Sequence, residues 1–449
     1  MNRFFTLIFL LGLVFTVSTL KSGVPGTVQF NLGGHTGIVS AVKWSPDGMK
    51  VATASWDGTT IIWSTSNGTK LFTLNGHTGV VTDIHWSPDG SKLATASYDN
   101  TAIIWSAISG TQLFTLRGHT VFIEEVQWSP DGTKVATASY DKTAIIWSAT
   151  SGTKLFTLRG HTAFVRTIQW SPDGAKVATA SDDKTAIIWS ATSGSKLLTL
   201  SGHTNLVIAV QWSPDGSKVV TAGDNRAIIW STTNGTKLIA LSGHTDIVTA
   251  VQWSPDGSKV VTASREDNNA IIWSATSGTQ FFILNEHISY VRDVQWSPDG
   301  TKVATASNDN TAIIWSVKNG IKLFILIGHT DYVDALQWSP DGSKIATASY
   351  DGTAKIWFAT DADGVSEESP QPQPNFSLYP NPTDNTFTVK FEKETIVPAT
   401  LRIGNILGQS VATYDIPAGV MEWPVHVEGL SAGMYHVQFN SSIRPLVVY

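Results

Sequence analysis

Histidine and aspartate recur along the chain at a nearly fixed spacing, and both residue types can transfer protons in catalysis. Eight of the 11 histidines are followed 21 to 23 residues later by an aspartate, as in His35 and Asp57. An active site requires one such pair, whereas this pair occurs eight times at one position of a repeated unit. The repetition favours a structural role, and we predict no catalytic residue in these pairs.

The other residues that could do chemistry are weaker candidates. Ser-Pro-Asp-Gly occurs in every unit, first at 45–48, but one carboxylate per turn does not supply the several converging oxygen ligands that calcium requires. Glu124 and Glu125 are adjacent, and because successive side chains of a strand point to opposite faces, we expect no acid–base pair there. His85 is expected to be a solvated strand residue. With no cysteine for thiolate chemistry, we predict neither a metal nor a cofactor.

Composition narrows the class of partner. The chain has 449 residues, 42% of them hydrophobic and 15% charged, so it can bury one large core and a smaller one. The formal net charge is −6 and no basic run is present, which argues against binding to a phosphate backbone or to an anionic membrane surface. We therefore expect no nucleic-acid partner.

A repeat of 41 to 43 residues positions the histidines and aspartates. Each unit predicts three β segments and a fourth that leads into the next unit, at 39–44, 50–55, 59–64 and 70–74 in the first one. The turn aspartate stands six residues before the tryptophan that ends the third segment. These tryptophans are Trp63, Trp105, Trp147, Trp189, Trp230, Trp273, Trp315 and Trp357.

Each unit also begins near a Gly-His pair, as at Gly34-His35, and the period and motifs together resemble the Trp-Asp (WD) repeat propeller family. The resemblance implies a buried hydrogen-bonded tetrad in each blade, made of His, a Ser or Thr of the second strand, the turn Asp and Trp; we assign the hydroxyl to the serine. One unit has Ala222 in place of the serine and another has Glu286 in place of the glycine, so we expect looser blades there. In the first four units the tetrads are His35, Ser55, Asp57, Trp63; His77, Ser97, Asp99, Trp105; His119, Ser139, Asp141, Trp147; and His161, Ser181, Asp183, Trp189.

The two ends of the repeat region are expected to meet. Residues 26–32 align with 68–74, the fourth segment of a unit, although no unit precedes them, and no fourth segment follows Trp357. The N-terminal strand should therefore complete the last blade, which leaves no long exposed edge. The predicted fold is all-β: an eight-bladed β-propeller closed by an N-terminal strand, followed by a small Ig-like β-sandwich.

Segments outside the repeats predict export. Residues 1–22 have the pattern of a signal peptide, because Arg3 precedes an apolar run from Phe4 to Leu20 that is shorter than the ~20 residues of a membrane span. After its removal we expect no transmembrane anchor; an uncleaved anchor is the alternative. The propeller is assigned to 24–360, and the acidic, proline-rich stretch 361–375 is predicted to be a linker.

The tail, residues 376–449, carries alternating strands and four short motifs: Tyr-Pro-Asn-Pro from Tyr379, Asn-Ile-Leu-Gly-Gln from Asn405, Gly-Met-Tyr from Gly433, and an apolar last strand from Pro445. These motifs resemble the C-terminal sorting domain of the type IX secretion system. The resemblance implies a Bacteroidetes-type bacterium, contact with that secretion machinery, and release from the cell or attachment to its surface. An ordinary Ig-like binding module is the alternative.

The units differ from one another mainly at three positions, which the resemblance puts on one face of the disc around the mouth of a central channel. We interpret this varied face as a binding site for a protein or glycan, because it mixes aromatic residues with charges of both signs. Drift after duplication is the alternative. We expect a monomeric, non-catalytic scaffold; an extracellular enzyme acting in the channel is the second hypothesis. The candidate binding residues are Trp56, Tyr98, Phe122, Glu124, Tyr140, Phe164, Arg166, Tyr290, Arg292, Tyr332, Asp334 and Tyr350.

Overall fold

The computed structural model describes residues 23–360 and, in the tail, 376–379, 386–391, 399–405, 410–417, 419–426, 430–439 and 442–448. Within these ranges the regular elements are all β-strands, and none is a helix. The predicted signal peptide and linker lie outside the described residues. The described part of the chain contains no helix long and apolar enough to cross a bilayer.

Strands β1–β32 occupy residues 28–358 and form eight four-stranded antiparallel sheets. Their bounds are β1 Val28–Gly33; β2 Val39–Trp44, β3 Lys50–Ser55, β4 Thr59–Ser64, β5 Lys70–Asn75; β6 Val81–Trp86, β7 Lys92–Ser97, β8 Thr101–Ser106, β9 Gln112–Arg117; β10 Ile123–Trp128, β11 Lys134–Ser139, β12 Thr143–Ser148, β13 Lys154–Arg159; β14 Val165–Trp170, β15 Lys176–Ser181, β16 Thr185–Ser190, β17 Lys196–Ser201; β18 Ala209–Trp212, β19 Lys218–Ala222, β20 Arg226–Ser231, β21 Lys237–Ser242; β22 Val248–Trp253, β23 Lys259–Ser264, β24 Ala270–Ser274, β25 Gln280–Leu284; β26 Val291–Trp296, β27 Lys302–Ser307, β28 Thr311–Ser316, β29 Lys322–Ile327; and β30 Val333–Trp338, β31 Lys344–Ser349, β32 Thr353–Phe358.

The Ser-Pro-Asp-Gly turns join the first two strands of each sheet. In the first sheet Gly48 adopts a φ of 69°, a conformation that suits glycine, and its N–H donates to the Ser45 carbonyl at 2.9 Å. The Asp47 carboxylate accepts from the Ser45 hydroxyl at 2.5 Å and from the Met49 N–H at 2.9 Å. The aspartate therefore stabilises the turn, as its position in the repeat suggests.

Neighbouring sheets pack face to face through apolar cores. One such core joins Ala52, Ile62 and Leu74 of the first sheet to Ile84 and Leu93 of the second, and equivalent cores lie between the following sheets. Alanines on one side leave room for the large tryptophan and isoleucine side chains on the other. The burial pattern thus repeats because the sequence repeats.

The tryptophan that ends each first strand links one sheet to the next. Trp86 Nε1–H donates to the Lys43 carbonyl at 2.9 Å, and most of the other sheets contain the corresponding bond. Trp44 of the first sheet donates in the same way to the Gln337 carbonyl of the last sheet at 3.0 Å. The first and last sheets are therefore joined like any other neighbouring pair.

Strand β1 pairs with β32, so the sheet of β30–β32 is completed by the N-terminal strand, as predicted. Leu32 of β1 is fully buried in the core shared with the first sheet. We call the first strand of each sheet (β2, β6, β10, β14, β18, β22, β26 and β30) its inner strand. Each inner strand contacts the next, and β30 contacts β2. We call the space that the inner strands line the channel. Repeated four-stranded sheets of this kind are typical of a β-propeller.

The described segments of the tail form two sheets. One has the order β33-β34-β37 and the other β36-β35-β38-β39, and both contribute to a single apolar core that includes Phe387, Leu401, Val425 and Val437. Their bounds are β33 Phe376–Tyr379, β34 Thr386–Phe391, β35 Ala399–Asn405, β36 Ser410–Ile416, β37 Glu422–His426, β38 Gly433–Phe439 and β39 Ser442–Val448.

Candidate functional site

The His–Asp pairs belong to a buried hydrogen-bond chain in every sheet. His119 Nδ1 lies 2.8 Å from Asp141 Oδ2, and its Nε2 lies 2.8 Å from Thr137 Oγ1, which also accepts from the Trp147 indole at 2.9 Å. The carboxylate can only accept, so Nδ1 donates to Asp141, whereas the Thr137 hydroxyl can either donate to Nε2 or accept from it. The side chain of His119 has no exposed surface, so it is not available to a substrate.

The hydroxyl in this chain is a threonine, which corrects the prediction of a serine. The bridging residues are Thr53, Thr95, Thr137, Thr179, Thr221, Thr262, Thr305 and Thr347. Ser55, Ser97, Ser139 and Ser181 instead accept a bond from the N–H of the turn aspartate two residues later. Thr137 and Ser139 are two residues apart and share one face of the strand. Their positions along it differ: Thr137 lies within the sheet beside Trp147, whereas Ser139 is the last residue of the strand, where the turn begins.

The unit that contains Ala222 keeps all the hydrogen bonds among its histidine, threonine, aspartate and tryptophan, contrary to the expectation of a looser blade. The deletion in this unit shortens the turn, and Thr221 still accepts from Trp230 and lies 2.8 Å from His203 Nε2. His203 in turn contacts Asp224, which also pairs with Arg226. In the unit with Glu286, the carboxylate pairs with Lys322, and the His287–Asp309 contact is retained at 2.7 Å.

Burial and hydrogen bonding determine whether the paired histidine and aspartate side chains are charged. Burial lowers the pKa of His35 and His161, although their aspartate partners oppose the shift. For Asp57, burial favours the protonated form, but hydrogen bonds from Thr59 and Thr36 outweigh it and lower the pKa to about 2. At neutral pH, His35 and His161 are therefore neutral beside the ionised carboxylates of Asp57 and Asp183.

The candidate binding residues meet in two groups around the channel mouth. We name Tyr98, Phe122, Tyr140 and Phe164 the first aromatic arc: their ring centroids follow one another at 4.5, 5.1 and 4.5 Å, and the last two rings are parallel within 7°. The second aromatic arc is Trp56, Tyr350 and Tyr332, with successive centroid distances of 6.0 and 5.6 Å. Each arc spans neighbouring sheets, so residues far apart in sequence form a continuous surface.

An arginine lies beside each arc. Arg166 makes a two-pronged ion pair with Asp182, both bonds being 2.8 Å, donates to the Tyr140 hydroxyl, and lies 4.9 Å from the Tyr140 ring centroid. Burial and the nearby Glu124 carboxylate raise the pKa of Tyr140 to about 12.

Beside the second arc, Arg292 pairs with Asp334 at 3.2 Å and lies 5.7 and 5.2 Å from the rings of Tyr332 and Tyr350. Tyr290 is separate from both arcs and lies under Arg265 at 5.8 Å.

Glu124 and Glu125 lie on the same side of their strand, which corrects the expectation of opposite faces. The pairing of β10 with β11 shifts register between Ile123 and Glu125, and the residues that flank the two glutamates, Ile123 and Val126, are both in the apolar core. A β-bulge of this kind places two successive side chains on one side of a strand. Both glutamates therefore leave the core together, toward the channel.

Carboxyl groups also line the channel, where the sequence indicates no acidic cluster. Asp83, Glu125 and Asp293 each accept the N–H of a residue on the next inner strand, at 3.1, 2.7 and 3.0 Å. Burial raises the pKa of Asp83 and Asp293, and burial together with the charge of Asp83 raises that of Glu125 to about 8. Lys43 is the cation that offsets part of this charge.

His85 is also a channel residue rather than a solvated one. Its Nδ1 accepts the Trp128 N–H at 3.3 Å, and burial lowers its pKa to about 4. The sequence alone does not distinguish the channel side chains Asp83, His85, Glu125 and Asp293 as site residues. The available signal was their position on the inner strands, two and four residues after the buried residue that begins each strand.

The channel holds two cavities. One of about 250 Å³ is lined by Glu125, Thr167, Arg292, Asp293 and inner-strand glutamines. The other, of about 300 Å³, lies at the Ser-Pro-Asp-Gly end and is lined by tryptophans and prolines such as Trp212 and Pro214. In the described ranges, no three His, Asp or Glu side chains are arranged to hold a metal ion.

Three family models match the chain. A TolB beta propeller domain matches residues 141–378, more than half of the chain, and the WD domain, G-beta repeat, matches 26–64, 68–106 and 110–148. A secretion system C-terminal sorting domain matches residues 377–447. No curated protein sequence matches the chain.

Proposed function

Starting from the family to which the chain belongs, the WD-repeat and TolB-type β-propeller proteins with a C-terminal sorting domain, we propose that it is a non-catalytic binding scaffold. The sorting domain indicates secretion and attachment to the outer cell surface, and implies contact with the secretion machinery. The propeller would then present its varied face to a protein or glycan outside the cell.

We infer that the eight four-stranded sheets are the blades of one closed ring. The Trp44–Gln337 bond between the first and last sheets and the pairing of β1 with β32 support this inference. A closed ring has no long free edge and gives a rigid support for side chains at its mouth. The two sheets of the tail support an Ig-like sandwich, separate in function from the ring.

The observation that carries the proposal is the pair of aromatic arcs on one face. Trp56, Tyr98 and Tyr332 keep 48%, 41% and 40% of their surface exposed. Other units carry aspartate, glycine or asparagine at the position of Trp56 and Tyr98, and a smaller aliphatic residue such as Val80 at the position of Tyr332. Fold stability does not require these aromatic residues, because units without them form the same sheets. Exposed aromatic residues supported by a rigid framework favour recognition.

Burial supports a structural rather than a catalytic role for the tetrads, because the His35, His119 and His287 side chains have no exposed surface.

The second candidate function, an extracellular enzyme, is favoured by one observation. Glu125 lines a cavity, and burial together with the charge of Asp83 raises its pKa to about 8, which is a property of many catalytic acids.

A capture experiment tests the scaffold proposal. The purified full chain is immobilised and exposed to surface extract and culture medium of the source organism, beside a variant with Tyr98, Tyr140 and Tyr350 changed to alanine. The matched control changes Met49, Ile108 and Ile321 to alanine, three residues that are 69%, 75% and 50% exposed at the opposite, Ser-Pro-Asp-Gly end.

We expect a partner that the control retains and the tyrosine variant loses, with equal melting temperatures for all three proteins. Equal capture by both variants would refute the assignment of the face. If no partner is captured, and extracellular glycosides or peptides are hydrolysed by the parent chain but not by Glu125→Gln, the enzyme hypothesis replaces the scaffold.

A further inference from the structure

At the channel mouth the arginines have ion-pair partners, whereas one glutamate oxygen has no hydrogen-bond donor among the described residues. Both arginines beside the arcs are already paired: Arg166 with Asp182, and Arg292 with Asp334 and Asn308. Glu124, in contrast, has a buried Oε2 with no hydrogen-bond donor in the described structure. A buried acceptor without a partner is costly, and an incoming donor would relieve it.

The carboxyls deeper in the channel also exceed their counter-cations. Asp83, Glu125 and Asp293 are held in place by backbone N–H groups, which are not charged, and share the single ammonium of Lys43. Glu124 adds a fourth carboxyl, and the cation near it is Arg166, which is already paired with Asp182. Burial and the charges of Asp83 and Asp182 raise the pKa of Glu124, although the Arg166 charge opposes them.

The aromatic arcs favour a polypeptide over a sugar. A sugar ring stacks on an open aromatic face, but the Tyr140 ring already contacts Phe122, Phe164 and Arg166. The exposed parts of the two arcs are apolar. They can contact the side chains on either side of a charged residue in a peptide. A guanidinium group also stacks on aromatic rings, as Arg166 and Arg292 do here, and binds carboxylates through two parallel bonds.

Building on the scaffold proposal, we propose that the varied face binds a polypeptide segment that inserts an arginine side chain into the channel mouth. The guanidinium contacts Glu124 and Glu125, and the residues on either side of that arginine pack on the first aromatic arc. The described channel residues offer no metal-binding arrangement, so the required cation is supplied by the ligand.

Two synthetic peptide pools test this assignment. Both contain capped heptapeptides with random residues at six positions; the central residue is arginine in one pool and its neutral isostere citrulline in the other. The full chain is mixed with each pool at physiological ionic strength, and bound peptides are measured by mass spectrometry. We expect at least tenfold more captured peptide from the arginine pool.

Variants separate this inference from the scaffold proposal. The pair Glu124→Gln and Glu125→Gln should remove the preference for arginine, because glutamine keeps the bond to the Ile168 N–H but lacks the charge. Glu266→Gln is the matched control, since Glu266 is exposed at the rim and outside the channel, and it should bind like the parent chain.

Each result has one meaning. Equal capture from both pools, lost in the Tyr98, Tyr140 and Tyr350 variant, would overturn the arginine assignment and leave a peptide-binding face. Capture that the glutamine pair does not affect would also overturn it. No capture from either pool would reject peptide recognition, while partner loss in the extract experiment would still support the scaffold.

Discussion

The indole Nε1–H of Trp147 donates to Thr137 Oγ1 at 2.9 Å, and the same hydroxyl lies 2.8 Å from His119 Nε2. One threonine therefore serves two buried groups, and the equivalent threonine does so in every sheet. All three side chains lie inside a single sheet, so the chain stabilises each blade internally rather than joining blades.

Replacing Thr137 by valine should destabilise the protein more than replacing Ser139 by alanine. Valine keeps the shape but leaves the indole donor and an imidazole nitrogen unpaired, which should cost about 3 kcal/mol. Loss of the Ser139 hydroxyl removes bonds nearer the turn and should cost about 1 kcal/mol. Urea unfolding of the full chain measures both; equal losses would contradict the threonine assignment.

The choice between threonine and serine shows what the sequence can and cannot determine. Period, strand positions and turn aspartates follow directly from the repeat, and the structure contains them. Thr137 and Ser139 are both hydroxyl residues in nearly invariant positions, so spacing alone does not identify the one that bridges. A distinguishing signal was available: the threonine occurs in all eight units, whereas the unit around Ala222 lacks the serine.

The acidic side chains that line the channel could not be predicted from the sequence for a different reason. Alternation along a strand predicts that Glu124 and Glu125 diverge, and only the bulge between Ile123 and Glu125 reverses this. Bulges arise from the way a strand pairs with its neighbour, so they leave little trace in local sequence. The aromatic arcs were predictable as a varied set, but their order around the mouth depends on the packing of successive sheets.

Ring closure can be tested with two equivalent leucines. Leu32 in β1 and Leu74 in β5 hold the same place in their sheets, and both are essentially buried. If β1 is an integral part of the last sheet, alanine at either position should cost about 3 kcal/mol, because both changes leave a cavity in a tight core. Unfolding by guanidinium measures the difference; a loss below about 1 kcal/mol for Leu32→Ala alone would indicate a detachable strand.

The protein should lose stability steeply below pH 4. The pKa values of Asp57 and Asp309 are lowered to about 2 in the folded state, because hydrogen bonds outweigh burial. The unfolded chain then binds more protons than the folded one between about pH 4 and pH 2, so folding becomes less favourable as the pH falls through this window. Melting temperatures at pH 5, 4, 3 and 2 test the expectation; a flat profile would contradict it.

The buried carboxyls of the channel should have the opposite effect on stability, which they should lower as the pH rises. Burial raises the folded pKa of Glu125 to about 8 and that of Asp334 to about 6. Between pH 6.5 and 8 the folded state therefore binds more protons than the unfolded state, and stability decreases as the pH rises. Glu125→Gln, which cannot ionise, should flatten this slope in thermal melts, whereas Glu266→Gln should leave it unchanged.

Arginine binding should become tighter as the pH rises from 6 to 8. A guanidinium is attracted to ionised carboxylates, and Glu125, which faces Asp83 and Lys43, ionises only near pH 8. A bound cation favours the ionised form, so binding releases a proton and affinity follows the fraction of ionised carboxylate.

With a heptapeptide selected from the arginine pool, titration calorimetry at pH 6, 7 and 8 should give a rising affinity. In buffers of different ionisation enthalpy, the measured heat should differ in proportion to the protons released. Glu125→Gln should bind more weakly and with little change over this range; an unchanged slope in that variant would show that another group controls the pH dependence.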